Sequence, residues 1–90
     1  MVSKETLEHL EQGFSKNIEK NLEKYFASHK EDIIPPGLYE RIINEVERVV
    51  FNATLKYSKG NQLQASKILG INRNTLRKKI TKLNVGEINN

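Results

Sequence analysis

The chain contains no cysteine, which rules out disulfide staples and thiolate metal sites and fits a reducing compartment. It has no apolar run near the roughly 20 residues that cross a bilayer, and its opening, MVSKETLEHLEQ, is too polar for a signal peptide. A soluble, unexported chain of the cytoplasm, with no membrane partner, is the expectation. Asn52-Ala53-Thr54 fits the glycosylation pattern but would then carry no meaning. There is no glycine-rich phosphate loop either, so no ATPase module is expected within these 90 residues. Apolar residues are also scarce, 37% of only 90. One domain of this size buries a small fraction of its surface, and oligomerisation is the usual remedy for the marginal stability that follows.

The most telling absence is local. From Lys59 to Asn84 there is no acidic residue, while Lys59, Lys67, Arg73, Arg77, Lys78, Lys79 and Lys82 give +7. The other eight bases stand against eleven acids, a net −3. A basic segment on an otherwise acidic chain is the electrostatic footprint of a polyanion binder.

What is present is helical periodicity. Leu7, Leu10, Phe14, Ile18, Leu22 and Phe26 recur at steps of three and four, which places them on one face of a helix. Gly13 within that stretch costs about 1 kcal/mol relative to alanine, so a start at Ser15 as cap is the competing boundary. The two prolines of Ile34-Pro35-Pro36-Gly37 impose a bend. Beyond it Leu38, Ile42, Val46, Val49, Val50 and Ala53 repeat the helical step, with Ile43 and Tyr57 widening the stripe, and Gly60 supplies a left-handed stop. Asn61 is placed to cap a short helix carrying Leu63, Ile68 and Leu69, closed by Gly70. Asn72 then caps a last helix that points Leu76, Ile80 and Leu83 inward and Arg73, Arg77, Lys78 and Lys79 outward, before a frayed tail over residues 85–90.

Two short helices joined by a glycine turn, the second basic and outward-facing, form the pattern in which the second helix enters the major groove of duplex DNA. Arginine at the start of such a helix can donate two hydrogen bonds to guanine O6 and N7, and Asn72 or Asn74 can pair with adenine or a phosphate. Thr75, Arg77, Lys78 and Lys79 lie within two turns and suit phosphates. The amides of Asn61 and Gln62 open the preceding helix, where the dipole favours another phosphate.

The run GNQLQASKILGINRNTLRKKI, Gly60 to Ile80, resembles the helix-turn-helix of the Fis family, which the Fis nucleoid protein shares with the C-terminal domains of NtrC-type response regulators. LEKYFASH and PPGLYERIINEVE look like the two helices that precede it in both groups, so the likeness covers about 70 residues. PPGLYERI looks in particular like the nitrogen-regulator branch. The resemblance implies an all-α, four-helix protomer, two N-terminal dimerisation helices (15–58) followed by a helix-turn-helix (61–83), working as a homodimer on double-stranded DNA in transcription control. By the same resemblance Asn72, Arg73 and Lys78 sit where the family touches bases. Asn61, Gln62, Thr75, Arg77 and Lys79 sit where it touches phosphates. Ile18, Leu22, Phe26, Leu38, Ile42, Val46, Val49 and Val50 are the expected dimer interface. Leu63 and Asn74 depart from the Fis protein, which has a hydroxyl and a glycine there, and RNT is the form of the NtrC branch. The residues before Ser15 do not match the arm of Fis.

No cofactor, metal or small-molecule substrate is expected. His9 and His29 are isolated and read as exposed helix positions, and Glu8, Glu11, Glu19, Glu23, Glu40, Glu45 and Glu47 read as solvated partners of neighbouring bases, so no enzyme is expected. Two readings remain beside an NtrC-type activator domain: a free-standing Fis-like nucleoid protein that bends DNA, and a helical dimerisation or interaction module whose basic face meets an acidic partner or anionic membrane.

Overall fold

A computed structural model of the protein describes residues 3–29 and 33–85. These form four helices, α1 (Lys4–Ala27), α2 (Leu38–Tyr57), α3 (Gln62–Leu69) and α4 (Arg73–Leu83), and no strand. No helix among the described residues is long and apolar enough to cross a membrane. The all-α, four-helix architecture matches the expectation. Contacts divide the chain into two units, Met1–Pro35 and Pro36–Asn90.

In the first unit α1 runs unbroken through Gly13, so the later start at Ser15 is not used. The cap is Ser3, whose Oγ accepts from the Thr6 amide at 3.2 Å. Nothing in α1 is buried. Phe14, Ile18 and Leu22 are half-buried at most, and Leu7, Leu10 and Phe26 are exposed. At the other end His29 is partly buried, not exposed. Its Nδ1 lies 2.8 Å from the Tyr25 carbonyl and its ring stands 4.5 Å from that of Tyr25.

In the second unit Gly37 opens α2 at φ 98, a left-handed geometry that suits a residue without Cβ. The core of this unit is Phe51, Leu55, Ala65, Leu76 and Val85, with Val50, Leu69, Ile71, Ile80 and Leu83 packed around it. Two expectations are corrected here, in α3 and at Val85, and α2 adds core residues that the periodicity did not pick out. The residues of α2 that enter the core are Phe51 and Leu55, which lie outside the expected stripe, although Val50, expected at a dimer interface, packs beside them. In α3 the inward residues are Ala65, Ser66 and Leu69, while Leu63 and Ile68 are exposed. Val85, expected to fray, is 5% exposed and its amide donates to the Ile80 carbonyl at 3.1 Å. Residues 86–90 of that tail lie outside the described residues.

The end of α2 is also specific. The Gly60 amide donates to Leu55 O at 2.8 Å and the Lys59 amide to Lys56 O at 3.1 Å, the paired bonds of a Schellman ending. Lys59, at φ 56, takes the left-handed position expected of Gly60, and Gly60 follows at φ 84. Leu76 has no exposed surface. Leu76→Ala is therefore expected to lower unfolding free energy by about 2–5 kcal/mol, whereas Ile68→Ala, on the exposed side of α3, should stay within about 0.5 kcal/mol. Urea unfolding followed by circular dichroism checks both.

Candidate nucleic-acid interface

The α3–turn–α4 segment is held by hydrogen bonds local in sequence. Asn61 Oδ1 accepts from the Gln64 amide at 3.0 Å and starts α3. The Asn61 amide, expected to be free for a phosphate, instead donates to the Ser58 carbonyl at 3.1 Å. At the far end of α3, Gly70 turns at φ 74, and its amide and that of Ile71 both donate to Ser66 O at 2.8 and 3.1 Å. Asn72 is extended, and its Oδ1 accepts from the Asn74 amide at 2.7 Å, starting α4. Ser66 is buried without an unmet bond because its hydroxyl donates to the Leu63 carbonyl at 2.7 Å. With Ala65 beneath it, α3 presents small side chains to the junction, and Leu76 fills the space left there.

Once Leu76, Ile80 and Leu83 face inward, the 100° step of a helix sends Asn74, Lys78 and Thr81 to the opposite side, flanked by Arg77 and Lys82. Arg73, Asn74, Thr75, Arg77, Lys78 and Lys82 are all exposed. So are Asn61 and Asn72, with Gln62 half-buried. The structure thus gathers eight of the nine expected contact residues at one helix pair's accessible surface. The ninth is different. Lys79 is turned toward α2, where its Nζ lies 3.0 and 3.2 Å from the two carboxylate oxygens of Glu47. Glu47, expected to be a solvated surface acid, is half-buried in this contact. A pair 32 positions apart leaves no periodic signal, and only the fold reveals it. The other ion pair, Arg48 with Glu45, is local to α2; the hydrogen bond from the Arg48 guanidinium holds the Glu45 carboxyl below its usual range.

Chemically this surface offers fixed cations, amide donors and hydroxyls. It suits a polyanion with hydrogen-bonding edges. Residues 42–83, from the second turn of α2 to the end of α4, match the family described as bacterial regulatory protein, Fis family. The DNA-binding protein Fis of Mannheimia haemolytica is 39% identical over 71 residues, covering 78% of this chain and 70% of that protein. The chain belongs to the Fis family. The DNA-binding transcriptional regulators NtrC of Azospirillum brasilense and Rhizobium meliloti are both 46% identical to it, over 74 and 73 residues. The chain spans 15% of the length of each of those regulators.

The Fis-family segment contains four of the five core residues, Phe51, Leu55, Ala65 and Leu76, together with all nine expected contact residues. Its two asparagine caps make a simple test. Asn61→Ala and Asn72→Ala should each destabilise the second unit by about 0.5–2 kcal/mol, with Asp at either position restoring most of the loss. Thermal unfolding of the three forms at each site measures this without any ligand.

Proposed function

We propose that this Fis-family chain binds double-stranded DNA sequence-specifically as a homodimer and acts in bacterial transcription regulation. The observation that carries the reading is the exposed, acid-free face of α4, oriented by the burial of Leu76. In the proposed complex α4 lies in the major groove. Arg73 and Lys78 read base edges, and Asn72 and Asn74 offer amide groups to bases or phosphates. Gln62, Thr75 and Arg77, with Asn61 through its side-chain Nδ2, hold the backbone on either side. Lys79 is reassigned, because its ammonium already has a carboxylate partner.

The homodimer rests on uncovered apolar surface. Leu38, Ile42 and Val46 of α2 are half-buried, Val49 and Ile43 are exposed, and α1 buries nothing at all. A second copy would cover Ile18, Leu22 and Phe26 of α1 and the outer stripe of α2, and a two-fold pair would present two recognition helices to one side of a duplex.

Within DNA binding, the finer proposal is the C-terminal domain of an NtrC-type enhancer-binding activator, in the cytoplasm with the nucleoid. Its support is the higher identity to the NtrC regulators, 46% against 39%, and the RNT of Arg73-Asn74-Thr75. The 70% coverage of the Mannheimia Fis protein favours a free-standing Fis-like protein as the second reading. An in-frame ATPase module encoded upstream of Met1 would decide for the first.

Arg73→Ala is expected to cost about 1–3 kcal/mol on a selected site and little on random duplex, while Arg77→Ala weakens both alike and lowers the salt slope by about one unit. Fluorescence anisotropy on the two duplexes at several salt concentrations separates these roles, and equal losses for both variants on both duplexes would remove the division between readers and clamps. Val49→Glu, on the outer stripe, should convert a dimer into a monomer in sedimentation velocity and reduce affinity for a two-half-site duplex at least tenfold. An unchanged mass would exclude that face as the interface.

A further inference from the structure

Among the described residues, Lys79 is the one cation of the basic segment that is paired with a carboxylate. Both oxygens of Glu47 lie within hydrogen-bonding distance of its Nζ, and the pair is neither solvated nor sealed, with side-chain exposures of 36% for Lys79 and 27% for Glu47. Lys79 follows Lys78 by a single residue, yet the 100° step carries it from the outer face of α4 to the side next to α2. A phosphate that reached this ammonium would have to displace Glu47 or settle beside its negative charge.

We propose that Glu47 limits the strength of phosphate-backbone binding, by sequestering Lys79 from the DNA backbone. The inference rests on the DNA-binding reading above and goes beyond it, since it assigns a role to an acid on α2 that touches no DNA. Sequence-blind affinity comes from cations that displace counterions from phosphates, whereas base discrimination comes from groove contacts. Taking one cation out of the first group lowers that sequence-blind affinity on cognate and random duplex alike and leaves the groove contacts in place, so base readout supplies a larger share of the binding that remains.

The test uses the whole chain, a duplex carrying its selected site and a random duplex, with anisotropy read from 50 to 200 mM salt. Glu47→Gln should tighten random-duplex binding and steepen the slope of log affinity against log salt by about 0.9, which enlarges the affinity loss across that range about threefold. Lys79→Gln alone should leave the wild-type slope in place. In the Lys79→Gln background, Glu47→Gln should have no further effect on the slope, because there is no ammonium left to release. Glu40→Gln on the same helix, which changes net charge equally, should reproduce none of this. Glu47→Asp draws the carboxylate back by one methylene at constant charge, and should shift the slope in the same direction as Glu47→Gln even if the latter proves too unstable to assay.

A slope flattened by about 0.9 in Lys79→Gln would mean that Lys79 grips a phosphate in the native protein, and would overturn the proposal. So would an effect of Glu47→Gln that persisted without Lys79, since that is only a change of net charge felt through space. Wild-type protein with no salt-dependent duplex binding would bring down the DNA-binding reading itself, a result distinct from either.

Discussion

The second unit depends on the burial of Leu76. Helix α4 is short and strongly polar, with Leu76, Ile80 and Leu83 as its apolar edge. Its spacing sets Arg73 against Arg77 and Lys78 against Lys82, two like-charge pairs that together cost up to about 1 kcal/mol. Complete burial of a leucine contributes about 1.5–3 kcal/mol, so this one side chain outweighs the repulsion across the cationic face. The same contact orients the helix. A helix that buries one edge must expose the opposite one, and here that edge carries Asn74, Lys78 and Thr81.

Helix α2 carries two obligations. Phe51, Leu55 and Ser58 lie on one side and are buried against the helix pair. Leu38, Ile42, Val46, Val49 and Ala53 lie about 170° around the helix by its 100° step. A helix apolar on opposite sides needs cover on both. The inner side has its partner within the unit, and the outer side remains half-buried or exposed, which is why a second copy is the natural occupant in the proposed dimer. Glu47, four residues before Phe51, lies at the edge of the inner stripe and meets Lys79 there. The helix proposed to form the dimer is thus also the one that grips α4, so the spacing of two recognition helices would follow from α2 alone.

Local rules made most of this legible from sequence. The asparagine caps, the glycine turn at Gly70, the bend at Pro35-Pro36 and the inward set Leu76, Ile80 and Leu83 each depend on a few neighbouring residues, and each appears where the pattern placed it. The inner stripe of α2 was equally readable in principle, since Phe51, Leu55 and Ser58 recur at helical spacing. It was obscured by the longer Leu38–Ala53 stripe, because one helix with two apolar faces does not match a search for one. Val85 is hidden in the sequence for a different reason. A single apolar residue beyond a basic helix resembles a tail, and only the left-handed turn at Asn84, φ 58, folds it back onto the core. The Glu47–Lys79 pair has no local signature at all. Charge spacing along one helix cannot reveal a partner on another.

The caps also bear on how such a surface would discriminate bases. Asn72 Oδ1 already accepts the Asn74 amide at 2.7 Å. A bidentate grip on adenine needs that oxygen to accept from N6 while the side-chain amide donates to N7. The oxygen would have to serve both the helix start and the base, and releasing the cap costs about 1 kcal/mol, comparable to the 1–3 kcal/mol that such a pair contributes to discrimination. Keeping the cap and donating through Nδ2 alone is the cheaper arrangement. On that account Asn72 fixes where α4 begins and contributes one directional donor, and the burden of telling one base pair from another falls on Arg73 and Lys78, whose charged groups have no competing partner among the described residues.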